Sequence, residues 1–191
     1  MMEDEKEMID WQYIINLKFI YMRKFLFIMI CLFMTSVSYG YSISSNGKQF
    51  IKKYEKCVLH RYYDGGGYSI GWGHHFLKGE NYKTISILKA NQLFSKDIAK
   101  TNASINRLLK PFEGKVRFKQ GFIDGLGDLI YNCGEGGVKR SAFYKRLLNS
   151  RIKNGRFNKN DFDYTLSAVK NLRVTQRGHK PRRQECYNMM K

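Results

Sequence analysis

The alternation of apolar and polar positions divides the chain into a short mixed segment followed by a run of helices. Phe50, Ile51 and Tyr54 fall on one helical face, with Ser44 or Ser45 placed to cap it and Val58 continuing the stripe. The runs "VLHRYYD" and "GYSIGWGHH" are rich in β-branched and aromatic residues and flank Gly65, Gly66 and Gly67, which predicts a hairpin. Gly71 and Gly73 break the second run at points where backbone can approach a neighbour closely. After a polar connection at 78–84, Ser86 caps the strongest helical pattern in the chain, with Ile87, Phe94, Ile98, Ile105 and Leu109 on one face. Pro111 stops it. The next segment is apolar nearly all round through Val116, Phe122, Ile123, Leu126, Leu129 and Ile130, the pattern of a central buried helix. Gly121, Gly125 and Gly127 leave room on it for close helix neighbours, and the glycines of "CGEGG" end it. Further helices are predicted near 141–149, near 161–172 and from about Pro181. The sum is an α+β chain: a small N-terminal β-hairpin lobe, a long connecting helix, a mainly α-helical C-terminal lobe, and a cleft between the lobes.

Composition agrees with one packed domain, since 43% of the 191 residues are apolar and 15% aromatic. Charge changes the picture more. Of 34 Lys and Arg and 16 Asp and Glu, four and five respectively fall in residues 1–40, leaving 30 and 11 in residues 41–191, a formal +19. Such a field draws the domain to nucleic acid, anionic membrane or an anionic cell wall, unless it is only a solvated basic face. Residues 22–40 read as a secretory signal: Met22, Arg23 and Lys24, then an apolar core from Phe25 to Met34, then Ser38 and Gly40 before a cleavage point. Residues 1–21 then read as an upstream extension from an early start, and 41–191 as the exported domain. The competing reading is an uncleaved anchor, with Ile14 to Ile20 lengthening the apolar stretch, although Arg23 and Lys24 interrupt it. Export would place the domain outside the cell or in the periplasm, where Cys57, Cys133 and Cys186 allow one disulfide at most.

The candidate chemistry sits in "YEKCVLHRYYDGGGYSIGWGHH", residues 54–75. Glycosidic cleavage needs a protonated carboxyl at the leaving oxygen and a second polar group that steadies positive charge or orients a water. Glu55 lies at the end of an apolar helix, where burial raises a carboxyl pKa, and Asp64 lies in a wet turn that keeps it ionised. Ser69 on the returning strand offers a hydroxyl to a water. The plain alternative pairs Glu55 with Lys52 or Lys56 and leaves Asp64 a turn residue. His60, His74, His75 and Cys57 lack metal-ligand spacing, so neither metal nor cofactor is implied. The run "RGHKPRR" at 177–183 is either a grip for phosphate or wall polymer or a solvated helix start.

The order of these pieces resembles the phage-type lysozymes. That family runs Phe or Tyr then Glu, nine residues to Asp, and a G-x-x-T-I-G-x-G-H strand. This chain has "YEKCVLHRYYD" and "GGYSIGWGHH", then "ISILKANQLFSKDI" (matching at Ile85, Ser86, Ala90, Leu93, Phe94 and Asp97), "DGLGDLIYNCGEGG" (Asp124, Leu126, Asn132 and Gly134) and "KPRRQECYNMM". The resemblance spans roughly 44–190. It implies hydrolysis of the β-1,4 bond between N-acetylmuramic acid and N-acetylglucosamine in peptidoglycan, with Glu55 as general acid, Asp64 as second carboxylate and Ser69 in the place of the family threonine. It also implies sugar contacts from Asn132 and Tyr68, a structural His74–Asp97 ion pair and cell wall as the partner. Export and the lack of a nucleic-acid motif argue against nucleic acid, a monomer is expected, and membrane is touched only through an uncleaved N-terminal segment. Three departures stand out: threonine is Ser69, the Asp64-to-Ser69 interval is one residue short, and Cys186 stands at a glutamate position with Glu185 one before it. If a disulfide forms, Cys57–Cys186 is the expected pair. A lytic transglycosylase and a non-catalytic wall-binding module are the rival functions.

Overall fold

The computed structural model describes residues 18–25, 40–172 and 179–191. It comprises two compact units, residues 1–40 and 41–191. In the first, residues 18–25 are helical and exposed, while most of the predicted export segment (26–39) lies outside the described residues. Among the described residues, no helix is long and apolar enough to cross a membrane.

The second unit begins as the pattern predicts. Ser44 is extended and its Oγ accepts the Gly47 N–H at 3.2 Å, opening α1 (Ser45–Glu55). The helix ends at Glu55 because Lys56 swings to φ 53°, ψ 151°. Val58 therefore does not extend the helical stripe; it is the first residue of β1 (Val58–Tyr63). β2 (Tyr68–Gly71) pairs antiparallel with β1, placing Tyr62 opposite Ser69. The expected second strand is in fact two. Gly71 and Gly73 both take positive φ, turning the chain into β3 (His74–His75), so the hairpin becomes a three-stranded sheet in the order β1-β2-β3. Ser86 caps α2 (Ile87–Leu109), and Pro111 sits in the 3-10 turn that ends it.

α3 (Gln120–Arg140) is the buried central helix, and the glycine cluster breaks it where expected, at Gly134. Gly134 leaves helical geometry (φ 70°, ψ 157°), and a second helical stretch resumes after this kink and runs to Arg140. α4 (Ala142–Asn149) follows, capped by Ser141. A short hairpin, β4 (Ile152–Lys153) and β5 (Arg156–Phe157), turns at Asn154-Gly155, both with positive φ. No strand was expected there, although Asn-Gly is a strong hairpin signal. α5 (Lys159–Ser167) runs on into a 3-10 turn at Ala168–Asn171, together filling the predicted 161–172 segment. α6 (His179–Met190) starts two residues before Pro181, which the first turn tolerates.

The core gathers on α3. Phe122, Ile123, Leu126 and Leu129 meet Ile105 and Leu108 of α2, Phe143 and Leu147 of α4, Leu166 of α5 and Cys186 and Met190 of α6, all buried. The i, i+4 glycines of α3 let α6 sit down directly: a Cβ at Gly121 would strike the Met189 carbonyl, and one at Gly125 the Met190 side chain. No disulfide forms between Cys57, Cys133 and Cys186. The expected Cys57–Cys186 pairing fails because Cys186 is fully buried, its thiol 3.4 Å from the Gly125 carbonyl, while Cys57 lies between α1 and β1.

Charge enters this core at one point. Asp128 has no solvent exposure; its Oδ1 accepts Arg182 Nε and Nη2 at 2.9 and 2.7 Å, and its Oδ2 faces Arg183 Nη1 at 3.3 Å. Arg183, also fully buried, further donates to the Leu172 carbonyl at 2.9 Å, to Asn132 Oδ1 and to Cys133 Sγ at 3.3 Å. Arg182 and Arg183, at the end of the run read as a wall grip or a solvated helix start, are thus interior anchors of α6. Removing one member of such a set strands the others, so Asp128→Ala is expected to cost about 3–5 kcal/mol in chemical denaturation.

The small sheet is fastened to α2 by polarity as much as by Ile70. His74, 3% exposed, places Nδ1 2.7 Å from Asp97 Oδ2 and Nε2 2.9 Å from Glu80 Oε2. The Asp97 contact, helped by Glu80 and opposed by burial, raises the His74 pKa. The folded state therefore favours the imidazolium. This contribution is fully present below the unfolded value of about 6.5 and is lost as pH rises through the raised folded value. In thermal melts, the stability gap between wild type and His74→Gln should narrow as pH is raised through that range.

Candidate active site

The helix end that terminates α1 sets Glu55 beneath the Gly71–Gly73 turn. A Cβ at Gly73 would lie 2.6 Å from Glu55 Oε2, so glycine there is what allows the carboxyl its place. Neither Lys52 nor Lys56 is its partner. Lys52 donates to Asn91 Oδ1 at 2.9 Å and lies 4.5 Å from the centre of the Trp72 ring, and Lys56 is exposed. Glu55 Oε1 instead faces Arg182 Nη1 at 2.8 Å. That ion pair is short but poorly directed: Oε1 is buried and receives no aligned hydrogen bond. Burial is the largest influence on Glu55 and raises its pKa; Arg182 pulls it down, Asp128 pushes it up, and the net direction is upward.

Asp64 lies just past β1, where its N–H bonds the Gly67 carbonyl at 3.1 Å and closes the shortened turn. Ser69 is buried on β2 and donates its hydroxyl to Asp64 Oδ2 at 2.6 Å, and the Gly66 N–H reaches Oδ1 at 3.3 Å. The Ser69 bond, with smaller help from Gly66 and His75, holds the Asp64 carboxyl below its ordinary range. The two carboxyls are thus pushed in opposite directions by different causes. Ser69 and Asp64 are joined directly despite the missing residue between them.

Tyr62 and His75 join this group, although the sequence motif assigns neither of them to it. Tyr62 is the cross-strand partner of Ser69, and its hydroxyl is made less acidic by burial and by the charges of Glu55 and Asp64. The available signal was position: two before Asp64 on a strand, hence on a related face. His75 is the partner of Ser69 on the other side. Tyr68 is not among the gathered groups. Next to Ser69 along the strand, it turns to the opposite face and packs against Tyr63 and Phe76 with ring centres 5.8 and 6.2 Å away. Asn132 is half-buried with its Oδ1 engaged by Arg183.

Among the described residues, no group of three or more His, Cys, Asp or Glu could hold a metal ion. A cavity of about 690 Å³ bordered by Arg140, Phe143, Arg146, Tyr164 and Asn171 includes none of Glu55, Asp64 or Ser69 in its lining.

The chain matches the family described as Phage lysozyme over residues 52–185. No curated protein sequence matches it. Among solved structures, the endolysin from Escherichia coli O157:H7 phage FAHEc1 is 27% identical at a TM-score of 0.59, covering 78% of this chain and 93% of that one. The muramidase domain of SpmX from Asticaccaulis excentricus superposes at a TM-score of 0.58 with 17% identity, covering 78% of this chain and 97% of that one. The active form of the P1 phage endolysin Lyz gives a TM-score of 0.57 at 15% identity over 85% and 91% of the two chains. These last two likenesses speak for the α+β lysozyme fold. The match over 52–185, with the ordered motifs and the two-lobed fold, settles the family: this chain is a member of the phage lysozymes.

Proposed function

We propose that the chain is a peptidoglycan muramidase that hydrolyses the β-1,4 bond between N-acetylmuramic acid and N-acetylglucosamine, with Glu55 as acid and Asp64 and Ser69 holding the attacking water. Family membership supports the reaction. The observation that carries the residue roles is the opposite bias of the two carboxyls: burial raises the Glu55 pKa against the pull of Arg182, and the Ser69 hydroxyl lowers that of Asp64. In this reading Glu55 gives its proton to the leaving sugar oxygen while water, hydrogen-bonded to Ser69 and Asp64, adds to the anomeric carbon and passes a proton to Asp64. The Asn132 amide nitrogen is free to donate to a sugar hydroxyl, since its Oδ1 is already committed to Arg183. Export through residues 22–40 would deliver a monomer to its substrate, and the +19 of residues 41–191 would hold it on anionic wall.

Mass analysis of peptidoglycan digests tests this. Wild type is expected to release muropeptides with free reducing ends, and Glu55→Gln and Asp64→Asn each to lower the rate by about 10²–10⁴-fold. Anhydro-muramic products, with activity retained in Asp64→Asn, would replace hydrolysis by a transglycosylase. The pH–rate profile supplies a second check. Activity needs Glu55 protonated and Asp64 ionised, so the rate should fall as pH rises through the elevated Glu55 value and as pH drops through the depressed Asp64 value. Residual activity of Ser69→Ala should show its acid limb moved to higher pH, because the bond that depresses Asp64 most is gone.

A further inference from the structure

A third group is built against the Asp64–Ser69 pair. β2 and β3 place His75 directly across from Ser69, with its Nδ1 3.3 Å from Ser69 Oγ and 3.7 Å from Asp64 Oδ2. The backbone makes room for the ring: a Cβ at Gly67 would lie 2.8 Å from His75 Cε1 and 2.9 Å from Nε2. Gly67 also has φ 156°, so the turn that positions Asp64 and the space that accepts the imidazole are one feature.

Hydrogen-bond inventory fixes the direction of the contact. A serine hydroxyl has one proton, and here it goes to Asp64 Oδ2 at 2.6 Å. The approach of Nδ1 to the same oxygen is then favourable only if the imidazole donates, which gives the chain His75 Nδ1–H to Ser69 Oγ–H to Asp64 carboxylate. The Tyr62 side chain also lies within hydrogen-bonding reach of Ser69, so neighbours on both flanking strands bear on the hydroxyl. The other titratable groups around this chain are Asp64 itself and Tyr62, the Ser69 partner on β1.

We propose that His75 is a positioning residue that fixes the Ser69 hydroxyl for the attacking water. It does by hydrogen bonding what the γ-methyl of a threonine does by crowding. A serine side chain is free among staggered wells in a way a β-branched residue is not. Here a donor on one strand and an acceptor in the turn hold Ser69 from two directions. His75 acts through Ser69 and needs no contact with the sugar. The inference rests on the assignment of Asp64 and Ser69 to the water.

Steady-state kinetics on solubilised glycan chains test it with wild type, His75→Ala, His75→Asn, Ser69→Thr and the Ser69→Thr/His75→Ala double variant. His75→Ala should lower kcat about 10-fold, the size of one hydrogen bond, with KM within about 2-fold. His75→Asn, whose amide N–H can stand where Nδ1–H stood, should recover most of the loss. In the Ser69→Thr background the same alanine change should cost less than about 3-fold, because the methyl already restricts the rotamer. Equal losses in both backgrounds, a loss confined to KM, no loss at all, or failure of asparagine to rescue overturns the proposal. If Ser69→Thr is itself inactive, the asparagine rescue decides. The His75 side chain is 55% exposed, so the alanine variant should melt with wild type; a lower melting temperature accompanied by a loss that asparagine does not rescue marks a structural role and counts against it. Should the underlying assignment be at fault instead, Asp64→Asn and Ser69→Ala would retain activity whatever His75 does.

Discussion

The buried carboxylate of Asp128 is the interaction on which the large lobe turns. A carboxylate with no solvent exposure is costly unless its charge and lone pairs are met, and α6 supplies two adjacent guanidinium groups for it. The price of this arrangement is geometric: α6 must approach α3 closely, and Gly121 and Gly125 permit that. Once α6 is docked, Arg182 has no freedom left, and its remaining Nη1 faces Glu55. One interior ion cluster thereby both closes the helical lobe and sets the electrostatics of the acid at the end of α1.

The site itself is assembled from parts of different stiffness. Glu55 is fixed by a helix end, a glycine turn and a buried arginine. Asp64 stands in a bend, and its orientation is imposed by hydrogen bonds from Ser69 and Gly66. The sheet that carries Ser69 and His75 has little apolar core of its own, Ile70 being its fully buried side chain, and leans on α2 through His74, Asp97 and Glu80. Polar ties therefore do in the small lobe what close packing does in the large one.

What the sequence disclosed follows from the range of each signal. Ser86 was legible as a cap, and Ser44 as one of two candidates with Ser45, because capping is settled within four residues; the α2 and α3 patterns were legible because helical periodicity is local. Glu55, Asp64 and Ser69 were legible as an ordered motif. Arg182 as the partner of Glu55 was not, since nothing near either residue announces the other. Arginine in a basic run reads as surface, and only a buried Asp128 on another helix makes Arg182 and Arg183 interior. The break at Gly134 was legible because glycine ends helical geometry locally, whereas the helical stretch that resumes beyond it carries no signal within that glycine run. The hairpin at Asn154-Gly155 is not legible from alternation because its strands are two residues each, too short for a period of two to show.

The disposition of the acids has a consequence for how the domain presents itself to its surroundings. Residues 41–191 hold 11 carboxylates. Asp124 and Asp128 are buried, Glu55 and Asp64 belong to the site, and Glu80 and Asp97 clasp His74. Glu135, Asp161, Asp163 and Glu185 are each engaged by a basic side chain. Among the described residues, Glu113 is left as the carboxylate with no such engagement. The outward lysines and arginines are therefore scarcely interleaved with negative charge of the protein's own, and their neutralisation falls to mobile counterions or to whatever anionic surface displaces them.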